Sequence, residues 1–455
     1  MNGRLSALDD SFLAVENASA HMHVGWAAMF KSPESGKAPR FDELRDHIAS
    51  RLCRAPRYRQ KIASVPFGLN APIWVDDQDF DVNRHVLRSS ATNFSDLVDS
   101  CMSTQLRRDR PLWQICVAER LADGRIGVVG KAHHCMVDGI AAVELGSLLL
   151  DPTPDPPPPV GDQWLPRRAP GAVLRFAGGL IDLVKEEASL VTLPVRVARS
   201  PRRIGELVEP VRRARGALVR SLRPSEPREP LNQPITGARH LAWFRRPLAD
   251  LKRIGRPMGA SVNDVLLAVS AGGVRNFLRG REREPAPLKT MVPVNVRGGD
   301  ETTELGNRIS FVFVDLPCDE PDPIRRLQRV RADMAEAKET GIPEGGDAAL
   351  AAVKYLPRPA QHVLTRRIAS PKTFNLTVSN IPGPREPMYM RGCELEVAYP
   401  VVPIADKHAL SIGMTTIRDQ ACFGLYAASE MLPDSDELAR AVEAAIDELL
   451  EHVTR

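Results

Sequence analysis

The run Asp151-Pro-Thr-Pro-Asp-Pro-Pro-Pro-Pro159 constrains this chain more than any other stretch. Proline has no backbone N–H and a fixed φ, so such a run continues neither a helix nor a central strand. It reads as a linker. A chain of 455 residues also exceeds what one hydrophobic core usually organises. The run therefore divides it into a zone of alternating helices and strands at 1–150, a Pro-rich and basic zone at 151–236, and a second mixed zone at 237–455. With 43 % apolar and 26 % charged residues, the chain has the composition of a globular protein.

The formal net charge of +4 hides an asymmetry. Between Trp164 and Arg228 fourteen Arg and Lys face six acids, a net +8, which leaves the remainder near −4. Pro194, Pro201 and Pro210 break this segment into helix-length pieces. Arg-rich pieces with Val, Leu and Ile on another face suit an anionic membrane or lipid-droplet surface. A solvated linker and a helix pair packed across the two domains are the alternatives. Nucleic acid is not an expected partner, because aromatics are only 5 % and no binding motif occurs.

The N-terminus lacks a basic region followed by an apolar stretch, and no apolar run reaches the roughly 18 residues of a membrane span. Seven scattered cysteines without a CxxC pair fit reduced thiols. The expected location is the cytoplasm, with peripheral contact to the inner membrane surface or lipid droplets.

Period-two alternation over Trp113–Ala118 and from Ile126 to Ala132, joined through Asp123-Gly124, predicts a hairpin. Ser261-Val-Asn-Asp264 reads as the cap of a helix running from Val265 to Leu278. Strands are expected at Met291–Val296, Ile309–Leu316 and Phe374–Ser379, and Asp434-Ser-Asp-Glu437 opens a terminal amphipathic helix.

The return strand of the hairpin runs into Lys131-Ala-His-His-Cys-Met-Val-Asp-Gly139, the sharpest chemical signal. Neighbouring strand residues face opposite ways, so if the strand reaches His134, this histidine continues the face of Ile126, Val128, Gly130 and Ala132, and His133 opposes it. Two histidines so placed do not easily share a metal ion, no HExxH occurs, and His21-Met-His23 alone is weak; no metal is expected. A single imidazole, with a reference pKa near 6.5, has about the strength to take a proton from an attacking alcohol. Asp138 reads as a helix cap or ion-pair partner holding the turn. Gly139 permits close approach and offers an N–H to an oxyanion.

HHxxxDG at a strand-to-helix junction resembles the motif shared by chloramphenicol acetyltransferases, nonribosomal condensation domains and wax ester synthase/diacylglycerol acyltransferases. The last family is singled out by Leu5-Ser-Ala-Leu-Asp9 with Phe12, Met22-His-Val-Gly25, Pro111-Leu-Trp113, Asn263-Asp264, Val292-Pro-Val-Asn-Val-Arg297, Gly306-Asn307 with Ser310, and Asn375-Leu-Thr-Val-Ser-Asn-Ile-Pro-Gly-Pro384, in that order. The sequence departs from the family at Cys135 and Met136, usually small or aliphatic, and lacks the usual proline before Leu8.

The resemblance implies an α/β fold, an α+β sandwich of two chloramphenicol acetyltransferase-like domains. Each is a mixed sheet with helices, and a long crossover segment joins them. It implies His134 as catalytic base, with His133, Asp138 and Gly139 in the same motif, and Asn263 and Asp264 beside the substrate channel, though both also suit a helix cap. The implied reaction moves a long-chain acyl group from acyl-CoA, a co-substrate, to diacylglycerol or a long-chain alcohol, without a cofactor. A carrier-protein-dependent condensation module and a catalytically silent lipid-binding scaffold are the competing readings.

Overall fold

A computed structural model of the chain describes residues 3–33, 37–136, 149–155, 164–181, 224–295, 309–339 and 358–454. The first half comprises α1 (Ala7–Val15), β1 (His23–Phe30), α2 (Phe41–Arg51), β2 (Gln60–Ala63), β3 (Ile73–Asp76), β4 (Val86–Arg88), α3 (Phe94–Ser103), β5 (Trp113–Ala118) and β6 (Ile126–His133). The expected hairpin forms, with Trp113 opposite Ala132 and Ala118 opposite Gly127. Its turn places Gly124 at φ 84°, a conformation that disfavours any side chain.

The second half comprises β7 (Arg239–Pro247), α4 (Leu248–Gly255), α5 (Val262–Arg279), β8 (Leu288–Asn295), β9 (Ile309–Leu316), α6 (Pro323–Glu339), α7 (Arg358–Ile368), β10 (Leu376–Ile381), β11 (Tyr389–Met390), β12 (Cys393–Val401), β13 (Leu410–Ile417), β14 (Gln420–Ala428) and α8 (Ser435–Thr454). Ser261 caps α5: its hydroxyl accepts from the Asp264 N–H at 3.2 Å, and the Asp264 carboxylate accepts from the Ser261 N–H at 2.7 Å. Such a capping box contributes about 1 kcal/mol. The apolar run behind the cap is buried on nearly all sides, as a helix hydrophobic around its circumference must be. Gly273 lets α5 meet α8 closely, since a Cβ there would lie 2.3 Å from Val442 Cγ2.

Two six-stranded sheets organise the described residues. The first has the order β11-β12-β1-β6-β5-β4, the second β7-β14-β13-β10-β8-β9. Both are mixed: β4 runs parallel to β5, and β10 runs parallel to β13 and β8, whereas the other pairings are antiparallel. This is the two-domain α/β architecture expected. The zone starting at 237 does not keep all its strands, however. Strands β11 and β12 leave the second sheet, and β12 pairs with β1 from Gly25 opposite Val401 to Phe30 opposite Leu395.

The first residue of the proline run is not free linker. Asp151 is buried, exchanges two 2.8 Å backbone hydrogen bonds with Tyr389, and accepts from Arg51 Nη2 at 2.7 Å. Among the described residues no helix is long and apolar enough to cross a membrane. The basic pieces from Val195 to Leu222, and the stretch 296–308 with Arg297 and Gly306-Asn307, lie outside the described residues.

The halves also meet where β7 lies on α3. His240 Nδ1 sits 2.7 Å from Asp99 Oδ2, and its Nε2 sits 3.4 Å from Asp436 Oδ1. The hydrogen bond to Asp99, opposed by burial and helped by both carboxylates' charge, raises the imidazole to about 9. The unfolded value is near 6.5. A raised folded pKa contributes fully below the unfolded value and is lost as pH rises through the folded one. We therefore expect His240→Gln to cost about 2 kcal/mol near neutral pH. Urea midpoints measured from neutral to above pH ~9 should fall more steeply in the wild type than in the variant.

Candidate active site

His133 and His134 stand at the end of β6, a strand buried along its whole length. His133 is the last strand residue, opposite His23. Its main-chain N–H donates to the Leu112 carbonyl at 2.9 Å, so the Pro111-Leu-Trp113 segment fixes the strand end. The Cys135 N–H donates to His133 Nδ1 at 3.1 Å. That bond leaves the ring proton of a neutral imidazole on Nε2, which faces Glu16 Oε2 at 3.6 Å. Burial, with the Arg108 guanidinium and His134 nearby, pushes His133 down to about 3. It is neutral at physiological pH, and its bond from the Cys135 N–H fastens the turn that carries His134.

His134 is placed differently. Its N–H donates to the Met22 carbonyl at 2.9 Å. Met22 adopts φ 49°, a left-handed conformation costing a non-glycine residue about 1–3 kcal/mol. The imidazole of His134 stacks on Phe12, with ring centroids 3.9 Å apart and planes 14° from parallel. Such stacking contributes about 0.5–1.5 kcal/mol and fixes the ring plane. Cys135 is buried, and burial pushes its thiol well above the ordinary range. It stays protonated and is a poor nucleophile.

Helix α1 supplies both contacts to the histidines. Phe12 lies on His134, and Glu16, which follows the last turn, reaches His133. The Glu16 side chain is only 2 % exposed; it accepts from Arg108 Nε at 2.8 Å and Gln105 Nε2 at 2.9 Å. The helix is in turn tied to the second half. Asp10 accepts from Arg358 Nε at 2.7 Å and Nη2 at 2.8 Å, with His362 Nε2 at 2.9 Å. These partners hold the Asp10 carboxyl below its usual range against the opposing, and largest, effect of burial.

Asp138 and Gly139 lie outside the described residues. Asn263 and Asp264 occupy the first turn of α5, and the Asp264 Oδ2 contacts close the cap described above. Asp264 Oδ1 is buried and has no hydrogen-bond partner among the described residues. Asn375 proves structural. It accepts from the Ser225 hydroxyl at 2.8 Å and donates to Asn232 at 2.7 Å, anchoring the chain as it leaves the basic segment. Among the described residues no group of three or more His, Cys, Asp and Glu is arranged to hold a metal ion.

An apolar cavity of ≈ 740 Å³, its open mouth included, lies between the two sheets. Its floor is the even-numbered face of β1, which through the pairing of Val24 with Ala132 is also the Ala132 face of β6; His134 follows in the turn after that strand ends. Its other walls include Tyr399 and Pro400 of β12, Thr415 of β13, and Gly383-Pro384.

Residues 5–266 match the wax ester synthase/diacylglycerol acyltransferase catalytic domain, and residues 305–450 match the C-terminal domain of the same family. The chain belongs to this acyltransferase family. It is 31% identical to a Mycobacterium tuberculosis protein named probable diacylglycerol O-acyltransferase, over 98% of this chain and 95% of the relative. It is also similar to the solved wax ester synthase/diacylglycerol acyltransferase from Marinobacter aquaeolei, with 27% identity, a TM-score of 0.70 and complete coverage of both chains. A condensation domain of the calcium-dependent antibiotic synthetase shares the fold, with a TM-score of 0.61 at 16% identity over 99% of this chain and 96% of that one.

Sequence reasoning found the histidines of this family's motif but not Glu16 or the stacking role of Phe12. The one available signal was the Leu5-to-Phe12 signature, which places Glu16 one helical turn beyond Phe12. Replacing His133 tests its hold on the turn. His133→Leu strands the buried Cys135 N–H at a cost of about 1–3 kcal/mol. His133→Asn offers a replacement acceptor, so its urea midpoint should lie between those of His133→Leu and the wild type.

Proposed function

We propose that this protein transfers a long-chain acyl group from acyl-CoA to the hydroxyl of diacylglycerol, and to long-chain alcohols, with His134 as general base. The observation that carries the reading is the contrast between the histidines. His133 accepts from the Cys135 N–H, with its Nε2 3.6 Å from Glu16 Oε2, whereas His134, in the turn directly after β6, is stacked on Phe12. The imidazole of His134 takes the acceptor proton as the hydroxyl oxygen attacks the thioester carbonyl. The resulting oxyanion collapses, and the coenzyme A thiolate leaves with that proton. Gly139 is the proposed N–H donor to the oxyanion and Asp138 the residue that holds the turn, both from their motif positions alone. Asn263 and Asp264 are proposed to border the acyl-CoA channel; the unsatisfied Asp264 oxygen supports a role beyond capping.

The test offers purified protein a long-chain acyl-CoA with diacylglycerol and hexadecanol in competition, and analyses the products. His134→Ala should lower kcat roughly 10²–10⁴-fold, while Cys135→Ala stays near wild type. Loss of turnover in Cys135→Ala with His134→Ala unaffected would overturn the assignment. Activity from an acyl carrier protein but not from acyl-CoA would favour the condensation-type reading.

The acceptor is a membrane lipid, and we propose that the basic segment 164–228 brings the enzyme to an anionic membrane or lipid-droplet surface. Its net +8 supports this, as does the exposure of Val173 and Leu174 in the helical stretch 172–181. In flotation assays, anionic liposomes should carry the protein at low salt and release it at high salt. Equal binding to neutral liposomes would remove the electrostatic part of the proposal.

A further inference from the structure

We propose that the contact between Trp26 and Gly130 sets the length of hydrocarbon chain that the cavity between the sheets accepts; the identity of the chain rests on the acyl-transfer reading above. Strand β1 is flanked on one side by β6 and on the other by β12. Seven of its eight residues are buried, and Trp26 alone is not. Trp26 is among the residues that line the cavity.

The ring reaches the cavity wall because Gly130, directly opposite, has no side chain. A Cβ at Gly130 would lie 2.6 Å from Trp26 Cζ2 and 2.7 Å from Cε2. The indole therefore occupies the space that a side chain at 130 would need, and any residue there drives the ring outward into the cavity. Residues two apart on a strand share a face at about 7 Å spacing. Along this face Val24 stands nearest His134, followed by Trp26, Ala28 and Phe30. A chain whose head reacts at His134 must pass the indole before it reaches Ala28 and Phe30. The cavity takes an unbranched hydrocarbon, supplied by either the acyl group or an alcohol acceptor.

Each methylene admitted or excluded changes affinity roughly four-fold, the equivalent of about 0.8 kcal/mol. The experiment measures kcat/KM for octanoyl- through arachidoyl-CoA with hexadecanol, then for octanol through eicosanol with palmitoyl-CoA. Trp26→Ala should shift the optimum to longer chains, and Gly130→Ala to shorter ones. In the double variant the Gly130→Ala effect should vanish, because no ring remains to be displaced. The series that shifts identifies which substrate's chain the cavity holds. Unchanged optima in both series for an active Trp26→Ala enzyme would overturn the proposal. Should Gly130→Ala fail to fold, Trp26→Phe supplies the intermediate case. Absence of any transfer by the wild type would instead remove the acyl-transfer reading. Displacement of bound cis-parinaric acid by saturated fatty acids of increasing length would then still test the pair, with the same shifts expected and unchanged profiles refuting it.

Discussion

Antiparallel hydrogen bonding between His23–Phe30 and Cys393–Val401 joins the first and last thirds of the chain in one sheet. Most of the site depends on it. Met22, directly before β1, offers the carbonyl that receives the His134 N–H, and β1 itself forms the floor of the cavity. Strand β12 adds Tyr399 and Pro400 to the cavity walls and brings them against the second sheet. There Gly413 and Gly424 leave room for Pro400, since a Cβ on either would approach it to 2.9 Å or less. The cavity thus lies between sheets while one of its walls belongs, by chain order, to the opposite half.

A second tie runs through the N-terminal helix. One face of α1 meets Arg358 and His362 through Asp10, and the same short helix presents Phe12 to His134 and leads into Glu16 beside His133. Net gain from a buried ion pair is small, because desolvation offsets attraction, but removing one partner strands the other charge at about 3–5 kcal/mol. Asp10 and Glu16 therefore act less as sources of stability than as constraints on where this helix sits. The position of the His134 imidazole is coupled through it to a helix of the second half.

Much of this architecture was legible in the sequence where periodicity and capping act locally. The hairpin, the helix begun by Ser261 and the strand Ile309–Leu316 are where residue patterns put them. Strand ends shifted, with β8 starting at Leu288 and β10 at Leu376, because partners rather than propensity decide where pairing starts. Strand alternation assigned His133 and His134 opposite faces if the strand reached both; β6 ends at His133 and His134 lies in the turn after it, so the alternation does not extend to it, though the motif itself showed in the residue pattern. Glu16, the left-handed Met22 and the transfer of β12 did not, because each depends on contacts far apart in the chain. Asp151 was misleading for the same reason: proline surroundings mark it as linker, while Arg51 and Tyr389 hold it in the interior.

The position of β12 has a consequence for biosynthesis. A chain emerging from the ribosome completes β1 and β6 early, yet the outer edge of β1 has no partner until residue 393 and beyond have been made. At about 5–20 residues per second that interval lasts tens of seconds. Throughout it the nascent first half exposes an apolar strand edge, the kind of surface that recruits chaperones or pairs wrongly with other chains. Closure of the sheet is thus a late event in synthesis, and the cavity comes into existence only with it.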